Sequence, residues 1–124
     1  MREILINQTS DADGDSVDTS ESGVYGRLYA VEVVDGDLAD NFDITLTYLN
    51  SRGGTITLLT LTNLTADAIY YTRHQVSDNA GAGLSYNDES DEPVTDLPLV
   101  SGVITSTLAD GGATKTGAVI LHIV

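Results

Sequence analysis

The segment FDITLTYL, residues 42 to 49, decides the fold, because its apolar side chains fall at every second position from Phe42 to Tyr48. Two threonines and one aspartate fill the positions between them. A period of two is that of a β-strand with one face in a core and the other in solvent, whereas a helix has a period of 3.6. The segment therefore predicts a half-buried strand whose inner face carries Phe42, Ile44, Leu46 and Tyr48.

The same spacing recurs along the chain, with glycine-containing turns between the repeats. In RLYAVEVV (27–34) it places Leu28 and Ala30 on one face, and Tyr29, Val31 and Val33 on the other. NSRGG (50–54) and two Asp-Gly pairs are typical of tight turns, where glycine adopts positive φ readily. The remaining predicted strands are 4–7, 55–61, 69–76, 100–108 and 117–124. We expect an all-β chain that forms one domain over residues 1–124, a jelly-roll-like β-sandwich of about seven to eight antiparallel strands.

The last predicted strand, GAVILHIV (117–124), is apolar on both faces. One face would carry Val119, Leu121 and Ile123, and the other Ala118, Ile120 and Val124. A strand of this kind is usually covered on both sides. We therefore expect its second face to be covered by another layer or by a neighbouring subunit, because exposed apolar patches mark interfaces.

The charge of the chain is strongly unbalanced, with 19 acidic and 5 basic residues and a net charge of −14. Nucleic acids and anionic lipids are bound through lysine and arginine, so neither is an expected partner. Such a surface stays hydrated and soluble in concentrated salt, and aspartate and threonine are abundant while Lys115 is the only lysine. This composition favours a salt-loving host, a halophilic archaeon or a marine bacterium. The first fifteen residues lack the apolar stretch of a secretory signal, which predicts synthesis in a cytoplasm.

Residue types argue against an enzyme. The chain has no cysteine, two histidines and no Gly-x-Ser-x-Gly elbow, so nucleophilic triads have no support. His122 lies in the apolar last strand, where a packed, hydrogen-bonded histidine is the usual occupant. We predict no catalytic residue and no cofactor-binding residue.

An acidic loop, DADGDSVD (11–18), is the only candidate metal site in the sequence. Asp11, Asp13 and Asp15 alternate and could converge on Ca²⁺, a hard cation that takes oxygen ligands. The EF-hand pattern is not met, because Ser16 and Ser22 stand where that loop requires Gly and Glu. A solvated acidic loop and a calcium site both remain open.

Two further segments are candidates for contact with other molecules. The run IYYTRHQV (69–76) joins Tyr70, Tyr71, Arg73 and His74; on a strand, Tyr71 and Arg73 share one face, and Tyr70 and His74 the other. Such a set fits a strand that caps the core, a protein hot spot or a sugar platform. The stretch 77–98 is longer than a simple connection and contains the acidic run NDESDEP (87–93), so we expect it to contact neighbours.

Over nearly its whole length the chain resembles small structural proteins of tailed viruses, such as capsid decoration or cement proteins. The resembling segments are the acidic DGD loop (13–15), GRLYAVEVVDGDLADNFDITLT (26–47), YYTRHQVSDNAGAGLSY (70–86) and PLVSGVITSTLADGGATKTGAVILHIV (98–124). The resemblance implies a non-enzymatic protein on the outer surface of an icosahedral capsid, oligomeric and in contact with the major capsid protein. No binding residue is transferred from it.

We expect a homotrimer, because closed cyclic symmetry is usual for identical subunits and threefold junctions are common on icosahedral shells. A turret, head-fibre or tail component of the same virion is an alternative within the class. A carbohydrate-binding β-sandwich, dependent on a cation at Asp11, Asp13 and Asp15, is the alternative from another class.

Overall fold

The computed structural model describes residues 1–50, 52–75, 77, 79–83, 85–87, 90–93 and 95–124, and these ranges contain strands and turns but no helix. Accordingly, no helix in the described part of the chain could cross a membrane. The strands are β1 (Arg2–Thr9), β2 (Ser16–Thr19), β3 (Val24–Val34), β4 (Phe42–Leu49), β5 (Thr55–Leu64), β6 (Ala68–Tyr71), β7 (His74–Gln75), β8 (Ser85–Asn87), β9 (Ser90–Pro93), β10 (Thr95–Asp96), β11 (Leu99–Gly102), β12 (Ile104–Ala109) and β13 (Thr116–Ile123).

Eight of these strands form two antiparallel sheets with jelly-roll topology. One sheet has the order β1-β13-β3-β6 and the other β2-β12-β4-β5. If these eight strands alone are numbered one to eight in chain order, the first sheet has the order 1-8-3-6 and the second 2-7-4-5. This is the arrangement of a jelly roll, in which two Greek keys pack face to face. The predicted jelly-roll-like sandwich of antiparallel strands is confirmed.

The connection between β6 and β12 carries the additional strands. β11 pairs with β3 beside β6, while β7 pairs with β10 and β8 with β9 in two small ladders. The stretch predicted as a long loop therefore contains short antiparallel ladders. Asp88 and Glu89 of its acidic run lie outside the described residues.

The core lies between the two sheets and is aliphatic around one aromatic ring. Phe42, Ile44 and Leu46 of β4 are fully buried, as their alternation predicts. Val119, Leu121 and Ile123 face them from β13, and the partly buried Tyr70 packs against the same cluster. The other buried members are Ile6, Val24, Leu28, Val31, Val33, Leu38, Leu61, Leu64, Val100, Ile104 and Leu108.

The faces predicted for β3 are corrected by a β-bulge. Ile123 pairs with Leu28 and His122 with Ala30, so Tyr29 is an extra residue opposite β13. Leu28, Val31 and Val33 consequently point into the core together, while Ala30 lies on the outer face with Tyr29 exposed. A bulge shifts the alternation by one residue, and strict period-two reading cannot show it.

Two of the predicted strands are also interrupted. The predicted strand 69–76 is divided into β6, which ends at Tyr71, and β7, which begins at His74; between them the buried Thr72 donates its side-chain hydroxyl to the Leu28 carbonyl. Val76 lies outside the described residues. The predicted strand 100–108 is two strands in different sheets, with Gly102 at φ 147° where the chain changes sheet. β2 was not predicted, because its acidic sequence resembles that of a loop.

Candidate interaction surface

The outer side of the β1-β13-β3-β6 sheet carries an apolar surface built by cross-strand register. One row across the four strands is Leu5, Ile120, Glu32 and Ile69, each opposite the next. The adjacent row is Glu3, His122, Ala30 and Tyr71. We call these two rows, together with Met1 and Tyr29, the apolar face.

Large apolar side chains of this face are open to solvent. Leu5 is 54% exposed, Ile69 51% and Tyr71 64%. Single exposed apolar residues are ordinary, whereas a contiguous group on one sheet marks a contact surface. Of the predicted second face of the closing strand, the half-buried Ile120 belongs to this surface, whereas Ala118 is buried and Val124 is exposed just beyond the end of β13.

A notch lies at the centre of the apolar face, because Ala30 is small and its neighbours are large. Tyr29 and Tyr71 meet edge to face, with ring centroids 5.6 Å apart and an interplanar angle of 78°. The depression has a volume of about 110 Å³ and is lined by Met1, Tyr29, Ala30, Ile69, Tyr71 and His122. It can accept one side chain but not a cofactor-sized ligand, for which sites of about 300–1,000 Å³ are usual.

Two carboxylates flank the histidine beside this notch. His122 Nδ1 lies 3.7 Å from Glu3 Oε1, and His122 Nε2 lies 3.6 Å from Glu32 Oε2. The histidine side chain is 16% exposed, against 70% for Glu3 and 38% for Glu32. The apolar face thus combines exposed apolar side chains with negative charge near its centre.

The outer side of the other sheet differs in chemistry. Its two rows are Thr19, Thr105, Thr47 and Thr57, and Val17, Thr107, Thr45 and Thr60. We call these eight residues the threonine face. None of the eight is charged, and their hydroxyl and methyl groups suit an ordinary solvated sheet surface.

The predicted metal residues form a turn. Asp11 Oδ1 accepts the backbone N–H of Asp13 at 2.8 Å and that of Asp15 at 3.0 Å. These hydrogen bonds, the one from Asp15 first, lower the pKa of the Asp11 carboxyl. Within the described residues, no group of three or more His, Asp or Glu side chains is arranged to hold a metal ion. The chemistry visible at Asp11 is turn formation.

A separate polar pocket lies on the same side of the sandwich as β11. It measures about 420 Å³ and is lined by Arg27, His74, Gln75, Ser77, Asp96, Leu97 and Leu99. Arg27 Nη1 and Asp96 Oδ2 form an ion pair of 2.9 Å. The backbone N–H of Leu97 and then the Arg27 guanidinium lower the pKa of Asp96.

The Tyr-Arg run does not form a single platform. Tyr71 belongs to the apolar face, Tyr70 packs on the core and His74 lines the polar pocket. The run is divided because the strand ends at Tyr71. Sequence reasoning also missed Ala30 and the carboxylate pair around His122, since cross-strand register brings Glu3 and Glu32 to it from separate strands.

The polar pocket and the Asp11 loop lie at opposite ends of β3. Arg27 is near the start of β3. The Asp11 carbonyl accepts the backbone N–H of Thr114, which lies just before the β13 residues that pair with the end of β3. Seven residues of strand, about 23 Å, separate Arg27 from Val34. A cation at Asp11 would not touch a ligand in the polar pocket.

Comparison with known proteins gives a likeness at the level of the fold. No family model matches the sequence, and no curated protein matches it. The structure of infectious bursal disease virus Gx strain is similar with a TM-score of 0.23 at 14% identity, over 97% of this chain and 36% of that one. The crystal structure of PirA is similar with a TM-score of 0.50 at 10% identity, over 98% of this chain and 96% of PirA. At this identity, the likeness to PirA shows a shared overall fold.

Proposed function

We propose that this chain is a non-enzymatic virion protein that decorates the outer surface of an icosahedral capsid and binds the major capsid protein. The observation that carries the proposal is the apolar face, a group of exposed apolar side chains on the outer side of one sheet. Jelly rolls serve in viral capsid proteins and in lectins, but a fold alone does not decide function. The resemblance of the sequence to virion decoration proteins adds the class of assembly.

The net charge supports a position of the protein on the outer surface of the shell. With a net charge of −14, the protein would be repelled by packaged DNA, whose phosphates attract lysine and arginine. Synthesis in a host cytoplasm followed by attachment to the assembled shell fits this placement. On the shell the protein would cross junctions between subunits and add buried area there.

We propose a homotrimer as the assembled form. Threefold junctions would offer identical sites to three copies, each applying the apolar face to the shell. If two copies met through the apolar face, Glu3 and Glu32 of both copies would lie close together and repel one another. We therefore assign that face to contact with the capsid protein. The connection between β6 and β12 would then be the contact between copies.

Co-sedimentation with shells that lack the protein tests this function. The parent protein should pellet with the shells, and Ile120→Asp should remain in the supernatant because it places a carboxylate in the apolar face. Thr47→Asp is the matched control, since Thr47 is an outward, half-exposed residue at mid-strand on the threonine face. Equal pelleting of both variants and the parent would contradict the proposed surface.

The position of the chain in an intact particle separates the alternatives within the virion. Density on the capsid lattice would support decoration, and density in a turret, fibre or tail would support the other virion roles. Removal of residues 87–92 with measurement of the oligomer mass tests the connection between β6 and β12 as the trimer contact.

Carbohydrate binding is the second candidate function, favoured by the polar pocket. Arginine, histidine, glutamine and aspartate side chains meet there with two leucines, a mixture that can hold a sugar by hydrogen bonds and apolar contact. A glycan array probed with the parent and with Arg27→Ala tests it. Binding that depends on Arg27 and needs no calcium would favour this function.

A further inference from the structure

The notch of the apolar face has walls of two kinds, and this limits what can fill it. Its floor is Ala30, which is 2% exposed, and its apolar rim includes Met1 and Ile69. On one side stand the rings of Tyr29 and Tyr71, and on the other stands His122. Glu3 and Glu32 lie beside His122, just outside the lining of the notch. An occupant must therefore combine an apolar stem with a positive or hydrogen-bond-donating end.

Within the part of the chain that the structure describes, no arginine or lysine forms an ion pair with either carboxylate beside the notch. Among the described residues, the ion pair formed by an arginine or lysine is that of Arg27 with Asp96. Arg2 donates to the Tyr25 carbonyl instead. The basic side chain beside them is His122, whose Nδ1 lies 3.7 Å from Glu3 Oε1 and whose Nε2 lies 3.6 Å from Glu32 Oε2.

We propose that the notch receives an arginine side chain from the partner protein. The aliphatic stem would lie along Ile69 and Met1, as the stems of long cationic side chains do on apolar surfaces. The planar guanidinium would stack on the exposed Tyr71 ring and reach Glu32, with Glu3 adding charge. Arginine suits this better than lysine, because its fork binds a carboxylate through two parallel hydrogen bonds.

This arrangement has the composition of a protein–protein hot spot. Tyrosine and arginine are enriched at such sites, and a central pocket surrounded by apolar contacts excludes water from the pair. The charge of −14 favours any partner with exposed basic side chains. The identification of the partner as the capsid protein rests on the proposed function, whereas the recognition of arginine stands on the notch itself.

Titration with short peptides tests the recognition directly. The probes are acetyl-Val-Arg-Val-amide and the same peptide with citrulline, which has the shape of arginine without its charge. Amide signals of Ala30, Tyr71 and His122 in the ¹⁵N-labelled parent should shift with the arginine peptide in the millimolar range. The citrulline peptide should bind about two- to fivefold more weakly, the range for a partly exposed ion pair.

Variants locate the effect. Glu32→Gln should abolish the preference for arginine over citrulline, while Asp13→Asn, which removes an exposed carboxylate in the Asp11 turn after β1, should keep it. Ala30→Val should block both peptides because it fills the notch without changing charge. Equal binding of the two peptides, equal binding of a lysine peptide, binding that persists in Ala30→Val, or no shift at all would each overturn the proposal.

Two further results separate this inference from its alternatives. Arg52 and Arg73 of a second copy are other possible occupants, and both are exposed. If Arg52→Gln or Arg73→Gln lowered the oligomer mass and freed the notch for peptide, a second copy would be the occupant and the proposal would be wrong. Peptide recognition without shell binding would overturn the capsid function alone, and shell binding without arginine recognition would overturn this inference alone.

Discussion

At the scale of single residues, Gly36 shows how closely one turn is fitted to the sheet beside it. Its φ is 59°, in the left-handed region, and a Cβ built there would lie 2.2 Å from the Thr116 carbonyl oxygen. Any side chain would therefore meet both backbone strain and a collision with β13. The Asp-Gly pair that signals a turn in the sequence is also a packing requirement in the fold.

Gly36→Ala should destabilise the protein by about 3 kcal/mol, the sum of left-handed strain and overpacking. Gly53→Ala is the matched control, because Gly53 has φ 85° but nothing within 4 Å of the added Cβ. That variant should lose only the strain, about 1 kcal/mol. Urea denaturation of both variants measures the difference, and equal losses would show that the Thr116 contact costs nothing.

Asp35 is a carboxylate whose surroundings oppose its charge. Desolvation raises its pKa, and Asp67, Asp40 and Asp37 raise it further by repulsion. Because the pKa is higher in the folded than in the unfolded protein, the ionised group destabilises the fold at neutral pH. That penalty disappears as the pH falls through the unfolded value near about 3.9.

Asp35→Asn should therefore raise the melting temperature at pH 7 by a few degrees and change it little at pH 3. Asparagine also suits the Asx-Gly turn at this position. Asp13→Asn serves as the control, since its side chain is exposed and outside this cluster. An Asp35→Asn variant that gained the same stability at both pH values would show that charge is not the cause.

At the scale of elements, the faces of β4 and β13 were predictable from the sequence, whereas β3 was predicted as a strand but with its faces wrongly assigned. β4 pairs with β12, and β13 with β1, without a register shift. The period of two in the apolar sequence pattern of these strands therefore matches the alternation of their side chains between the two faces of the sheet. In β3, the bulge at Tyr29 breaks that period and moves Ala30 to the outer face. The notch depends on this shift, so its floor could not be identified from the sequence.

The same limit applies to contacts between strands that are distant in sequence. Glu3, Glu32 and His122 come together only because β13 lies between β1 and β3. His122 in an apolar strand was the one available signal. The hydrogen bond that joins the two sheets, from Gln8 Nε2 to Ser106 Oγ at 2.8 Å, likewise spans almost the whole chain.

Ser106→Ala should destabilise the protein by about 1–3 kcal/mol, because it removes the hydroxyl acceptor of the buried Gln8 amide and leaves only the Ser106 carbonyl, 3.5 Å from Gln8 Nε2. Gln8 is 1% exposed and Ser106 is fully buried, so water cannot easily replace the contact. Adding Gln8→Met to Ser106→Ala should recover part of the loss by removing the unpaired amide. Thermal unfolding of the single and double variants measures this, and a double variant weaker than Ser106→Ala would contradict the explanation.

At the scale of the whole molecule, the two outer faces and the net charge determine which surfaces are suited to contact with partner proteins. The apolar face offers contact area and two carboxylates, whereas the threonine face carries no charged side chain. The charge of −14 is spread over the remaining turns and loops as well, including the cluster around Asp35. We therefore propose that association uses the apolar face and favours basic partners.

The same charge predicts that salt stabilises the isolated protein. The screening length shortens from about 10 Å at 0.1 M to about 3 Å at 1 M, so repulsion among the carboxylates weakens over this range. The melting temperature should therefore rise between 0.1 and 1 M NaCl, as expected for a protein suited to a saline host. Because salt also strengthens apolar burial, the control is Asp35→Asn combined with Asp40→Asn, which removes two charges and leaves the core unchanged. The melting temperature of the variant should rise less with salt than that of the parent. A parent melting temperature that stays flat or falls would contradict adaptation to salt. An equal rise in the parent and the variant would show that salt acts through apolar burial.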